Sequence, residues 1–257
     1  MAPRTPHDST LPTALTSAWG IVSPPGSRGP RPAHSVAEIV QAATEIADEE
    51  GIAGASLPRV ARRIGLTTNA LYRYVGSKEE LVVLVADAAW GDPPALPSSG
   101  WREAASLWAH RLFERFLTRP WLLDVPTTVP LTPHTASWLN ALLAALAPTG
   151  MPPHELLSSS YLLDSHARYG ANLRRASPVP AALTKDNPER QAVAAEVRDF
   201  LDGQLRARDL NALAEVMVDP SFLDDEPAPD GFEFGLARIL DGIEAHLGRL
   251  SDAAAPR

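Results

Sequence analysis

Thr67, Thr68, Asn69, Tyr72 and Arg73 bring together side chains that read nucleic acid. Arginine can donate two bonds to guanine, asparagine can pair with adenine, and threonine or tyrosine can bind phosphate or lie on a thymine methyl. All five sit in the stretch Leu57 to Lys78, LPRVARRIGLTTNALYRYVGSK. From Gly51 to Lys78 the chain carries Arg59, Arg62, Arg63, Arg73 and Lys78 and no Asp or Glu, although the formal net charge of the 257 residues is -8. A local positive window in an acidic protein suits a polyanionic partner. Charge alone fits a solvated basic surface equally well.

The elements that must position these residues are two helices and a turn. Val60, Ala61 and Ile64 fall on one face of a first helix, with Ser56 placed to cap it. Gly65 gives the backbone a turn that a side chain would obstruct. Thr67 or Thr68 can then cap a short second helix, whose Leu71 and Val75 face inward while Thr68, Asn69, Tyr72 and Arg73 face outward. Tyr72 and Tyr74 are two residues apart and cannot share a face, so Tyr74 is expected to pack against the first helix.

The run IGLTTNALYRYVGSKEEL resembles the second half of the TetR/AcrR family DNA-binding domain, and Arg31, Pro32 and SVAEIVQAATEIADEEG resemble its first helix. The resemblance implies that Arg31, Thr67, Thr68, Asn69, Tyr72, Arg73, Tyr74 and Lys78 touch double-stranded operator DNA, with Leu57 and Pro58 at a helix start lying against its backbone. Leu57 and Pro58 depart from the family pattern, which usually has a small polar residue and then an arginine there.

The rest of the chain reads as all-α. Ser35-Val36-Ala37-Glu38 is a capping box opening a helix with Val36, Ile39, Val40, Ala43, Ile46 and Ala47 on one stripe, ended by Gly51. Ser77 to Glu80 is a second capping box, opening a helix through Leu81, Leu84, Val85 and Ala88 that connects the basic head to everything downstream. Further helices are expected over Trp101–Arg119, Pro133–Leu146, Pro152–Leu173, Glu189–Leu213 and Phe232–Leu250, and no segment alternates as a strand does. Four parts are expected: a disordered tail (residues 1–30), a helix-turn-helix domain (31–78), a helical ligand-binding and dimerisation domain (79–250) and a disordered C-terminus (251–257). The tail is rich in Pro, Ser, Thr and Gly, and Arg28 with Arg31 could reach a minor groove. Residues 31–78 hold six cations against five anions, whereas 79–257 hold fifteen against twenty-five, so DNA contact is confined to the head.

In the acidic part RPWLLDV, HTASWLNALLAALAPTG, YLLDSHARYGANL and FEFGLARILDGIEA resemble a large TetR/AcrR subgroup. The resemblance implies a homodimer in which the Tyr161-containing helix and the last helix form a four-helix bundle, with His166, Leu173, Leu236, Ile239, Leu240, Ile243 and Leu247 at the interface. It also implies a cavity for a small-molecule effector. The aromatics Trp108, Phe113, Phe116, Trp121, Trp138, Tyr161 and Tyr169 concentrate there, with His110 and Ser165 as polar candidates and His134, Asp164, His166, Arg168 and Asn172 beside them. Each has a purely structural reading: tryptophans at helical spacing belong to cores, and Asp164 with Arg168 makes an intrahelical ion pair.

Other classes are weaker. There is no Gly-rich phosphate loop, HExxH or GxSxG sequence, so no enzyme, cofactor or metal site is expected. Without cysteine no disulfide or thiolate site forms. No apolar span or secretion signal is read, which makes a cytoplasmic protein without membrane contact the expectation. The expected function is a ligand-responsive transcriptional regulator, by family default a repressor. The alternative is a helical small-molecule-binding protein whose DNA contact is impaired at Leu57 and Pro58.

Overall fold

The computed structural model describes residues 12–21, 34–126, 131–176, 188–218 and 231–254. Its helices are α1 (Thr13–Ala18), α2 (Val36–Glu50), α3 (Leu57–Arg63), α4 (Thr68–Leu71), α5 (Lys78–Trp90), α6 (Trp101–Thr118), α7 (Pro133–Leu146), α8 (Pro153–Ala176), α9 (Pro188–Arg206), α10 (Asn211–Val218) and α11 (Gly231–Ala254). Among the described residues there is no strand. Among the described residues, no helix is long and apolar enough to cross a membrane.

Helices α2, α3 and α4 form the head. The Ser35 capping box is complete: the Glu38 N–H donates to Ser35 Oγ at 3.1 Å and the Ser35 N–H to Glu38 Oε2 at 3.0 Å. Gly51 stops α2 with φ 79°, a conformation that residues with a Cβ rarely adopt. Ser56 occupies the N-cap of α3, but its hydroxyl makes no cap bond; only its carbonyl accepts, from the Val60 N–H at 3.0 Å. Gly65 makes the tight turn at φ 74°. Thr67 then caps α4 by accepting from the Ala70 N–H at 3.2 Å. Leu71 and Val75 are fully buried beneath that helix, with Ile39, Ala43, Ile46, Val60 and Ala61.

Helix α5 belongs to both halves. Leu81 and Val85 join the core beneath the head, while the helix also packs against α7. Its capping box is only half made. Ser77 Oγ accepts from the Glu80 N–H at 3.1 Å, but the buried Glu80 carboxylate turns to the Gly76 N–H at 2.7 Å and takes a second bond from Ser17 of α1. That second bond corrects the reading of an unstructured tail at residues 12–21, the part of residues 1–30 that the structure describes. Helix α1 lies along α5, and the Trp19 indole donates to the Leu131 carbonyl at 3.0 Å. A correction also applies at residues 251–254, since α11 continues to Ala254.

In the body α6 and α8 pack together, flanked by α7 and α11. One apolar core runs from Ile39 in the head to Ile243 in α11. Head and body are also fastened by Asp48 of α2, which accepts from Trp121 Nε1 at 2.7 Å and Arg119 Nε at 3.2 Å. Helices α9 and α10 pair with each other as a hairpin.

Candidate functional site

At the head, the structure sorts the five cations of the basic window into two groups. Arg59 is bonded to Glu50, and Arg63 to Glu49 at 2.5 Å and Glu45 at 3.4 Å, so α2 neutralises both. The Arg63 hydrogen bond holds the Glu49 carboxyl below its ordinary pKa. Arg62, Arg73 and Lys78 are exposed, and among the described residues none has an ion pair or hydrogen-bonded acceptor. The charge without an ion pair therefore lies on the last turn of α3 and the end of α4, with Lys78 beside Glu79 at the start of α5. Thr67, Asn69 and half-exposed Tyr72 are open to solvent around Arg73, with Thr68 partly buried. Tyr74 packs against the core with little ring left free. Leu57 needs correction as a side-chain contact, because its side chain is buried, whereas Pro58 beside it is exposed. Arg31 lies outside the described residues.

The body contains a cavity of about 370 Å³ with walls from α5, α6, α7 and α8. That size lies in the ordinary range for small-molecule sites, roughly 300–1,000 Å³. Its aromatic wall is Trp90, Trp108 and Trp138, with ring centroids of Trp90 and Trp108 lying 5.7 and 6.1 Å from Trp138, each edge-on. Both inner indoles are spent on the backbone: Trp108 Nε1 donates to the Trp138 carbonyl at 2.9 Å and Trp138 Nε1 to the Gly91 carbonyl at 3.0 Å. The polar lining is Thr132, Thr135, Ser160, Tyr161, Asp87, Asp164 and Arg168. Asp87 on α5 is fully engaged, accepting from the His134 N–H and facing His134 Nδ1, both at 2.9 Å.

Of the residues expected to line a cavity, Trp108, Trp138, Tyr161, Asp164 and Arg168 are brought together there, and the others are not. Phe113 stacks on Phe232 of α11 at 4.2 Å, and Phe116 is buried under Trp90 and the Arg168 guanidinium. Trp121 is the head-to-body anchor on Asp48. His110 faces a surface groove between α6 and α11, where Nδ1 meets the Ser106 carbonyl and Nε2 the Glu233 carboxylate, each at 2.7 Å. Burial there disfavours the charged ring, but the two acceptors outweigh it and raise the His110 pKa above the ordinary histidine value. Ser165 and Tyr169 point outward from α8. Missed by the sequence reading were Trp90, Asp87, Thr132 and Thr135, whose helical spacing gives no sign that four helices converge on them.

The expected interface residues divide likewise. Leu236, Leu240 and Ile243 are buried in their own chain's core, with Ile239 and Leu247 partly so, which corrects their reading as a partner-facing stripe. His166 stacks on Phe232 and bonds its carbonyl at 2.8 Å. Leu173 is half exposed, in line with Tyr161, Leu162, Ser165 and Tyr169 on the outer face of α8.

A compact three-helix head with a Gly turn and a short reading helix, joined by α5 to a helical body enclosing an aromatic cavity, is the architecture of a helix-turn-helix regulator. Residues 39–85 match the family model for bacterial regulatory proteins, tetR family, and residues 93–247 match that for the tetracyclin repressor-like C-terminal domain. The chain is 31% identical over 236 residues to the HTH-type transcriptional repressor DrrR1 of Streptomyces coeruleorubidus, covering 90% of this chain and 84% of that protein. Its fold is similar to that of apo ActR from Streptomyces coelicolor (TM-score 0.68, 21% identity, 86% of this chain and 100% of the other). It is similar also to ActR in complex with actinorhodin (TM-score 0.63, 22% identity, 84% and 98%). The chain belongs to the TetR family of transcriptional regulators.

Proposed function

We propose that this regulator is a homodimeric repressor that binds operator DNA through α4 and the helix ends beside it, and releases it when a small molecule fills the cavity. The observation that carries this reading is the double membership of α5. Its first turn, at Lys78 and Glu80, fixes the end of the reading head, and its last turns supply Ala86, Asp87 and Trp90 to the cavity wall. A ligand that presses on Trp90 acts on the same rigid helix that sets the head's position. Coupling needs only that the ligand bind one arrangement of α5 better than the other.

Arg73 and Asn69 are proposed to meet base edges, and Thr67, Thr68, Tyr72 and Lys78 phosphates, with Arg62 added because it is exposed and unneutralised. The repressing sign is supported by the name of the 31% identical relative, and effector binding by the ActR complex with actinorhodin. Two copies are proposed to meet through the outer faces of α8 and α11. A protein whose work is on DNA acts in the cytoplasm of a bacterium. Mobility shift with the DNA upstream of its own coding region tests the reading: a selective complex that weakens steeply with salt is expected. A shift indifferent to sequence at every salt concentration would sink it.

A further inference from the structure

The cavity has one polar pole that the protein leaves unsatisfied. Thr132 and Thr135 bond each other in the cap of α7, the Ser160 hydroxyl donates to the Leu156 carbonyl, and Asp87 is engaged by His134. Arg168 differs from all of these. Its guanidinium lies 4.6 Å over the Phe116 ring, its Nε is buried without a hydrogen-bonded acceptor, and its nearest carboxylate is Asp164 Oδ2 at 3.5 Å, beyond a good hydrogen bond. A guanidinium has five N–H donors in a fixed fork suited to paired oxygens. Here that fork borders the cavity, and its buried Nε has only the long contact to Asp164.

We infer that the effector is a flat aromatic acid or phenol whose carboxylate or phenolate oxygen is received by Arg168 and Asp164 while its rings lie among Trp90, Trp108 and Trp138. This deepens the proposed function and rests on the cavity being the effector site. The alternative is a cationic ligand drawn to Asp164, and the surroundings of Asp164 decide against it. The charged residues lining the cavity are Asp87, Asp164 and Arg168, and Asp87 is already committed to His134. Burial raises the Asp164 pKa above the ordinary aspartate value, and the Arg168 charge offsets this only in part. An oxyanion arriving at Arg168 pushes the Asp164 pKa further up, which favours the protonated carboxyl that can donate. The pole then offers donors from both residues to one oxyanion, with the bound charge balanced by Arg168. A bound ammonium would meet the guanidinium head-on.

The test is calorimetric titration of the full-length protein with 2-naphthoate, 2-naphthalenemethanol and 2-naphthylmethylammonium, in two buffers of different ionisation enthalpy. Naphthoate is expected to bind about 10- to 100-fold tighter than the alcohol, as charge-assisted bonds allow. Its binding is expected to take up a proton, and Asp164→Asn to abolish that uptake. Arg168→Met is expected to remove the preference for the acid over the alcohol. Arg168→Lys, which keeps the charge and the stem over Phe116, restores part of it and separates charge recognition from packing. Equal affinity for acid and alcohol, or preference for the ammonium, overturns the inference while leaving the cavity as the effector site. Saturable binding of none of the three removes the cavity reading itself, and the inference with it.

Discussion

Arg73 is the residue at which the head's chemistry is most concentrated. It is exposed and free of any acidic neighbour, and it stands beside Asn69 and Tyr72, whereas Arg59 and Arg63 are held by α2. Arg73→Ala is therefore expected to weaken operator binding by roughly 1–3 kcal/mol and to relax sequence preference at one base position. Arg59→Ala, by contrast, should leave affinity nearly unchanged. Quantitative mobility shifts on operator variants measure both, and a uniform loss across variants would make Arg73 a phosphate contact. His110 yields a pH prediction. Its folded-state pKa is raised, so the native state holds that proton more tightly than the unfolded chain. The stabilisation is complete below the unfolded histidine pKa of about 6.5 and is lost as pH rises through the folded value. Urea unfolding between about pH 6 and 8 should thus show wild-type stability declining more than that of His110→Gln; parallel curves would mean the Glu233 pair contributes nothing.

At the scale of elements, periodicity and caps made most helices legible, because Ile39, Ala43 and Ile46 or Leu71 and Val75 announce an inward face without naming what covers it. The missing knowledge was of neighbours. Phe113 and Phe116 do lie on the inward face of α6, but Phe232 and Trp90 cover them and they close the core instead of lining a cavity. The stripe Leu236, Leu240 and Ile243 is real, yet it is spent on its own chain, while Ser165 and Tyr169 look outward. Helix α1 was illegible because six residues carry too little pattern, and its place depends on Glu80 and Leu131 far along the chain. The Asp48 clamp was hidden likewise, since an aspartate near the end of an exposed helix looks solvated. Asp48→Ala removes the acceptor of the buried Trp121 indole, and leaving such a donor unmatched costs about 1–3 kcal/mol. Urea denaturation should register that loss, and Asp48→Asn, which keeps an oxygen for Trp121, should lose less. Equal losses would show that the Arg119 charge, not the indole, fastens the head.

At the scale of the whole molecule, the outer face of α8 is the surface proposed to meet a second copy. Leu162, Tyr169 and Leu173 are 55%, 63% and 49% exposed in the single chain, aligned at helical spacing. Apolar side chains in a continuous row are unfavourable against water and mark an interface. Beside them the exposed side of α11 carries Gly242, Ala245 and Gly248, where another backbone can approach closely. The proposed two-fold pairing across these faces would bury both rows and set the distance between two heads, to be matched to half-sites roughly 34 to 36 Å apart. The double variant Leu162→Asp, Leu173→Asp places like charges on both sides of that axis without touching the core or the cavity lining. Sedimentation velocity is expected to show monomers, with head folding retained by circular dichroism. Operator affinity should fall steeply because each head then pays its own loss of translational freedom instead of sharing it. Ile243→Asp should unfold the body rather than split the dimer, since that side chain faces inward. Dimers that persist in the double variant would move the interface away from α8, leaving the α9–α10 hairpin, with Val197, Phe200 and Leu213 exposed, as the surface through which two copies meet.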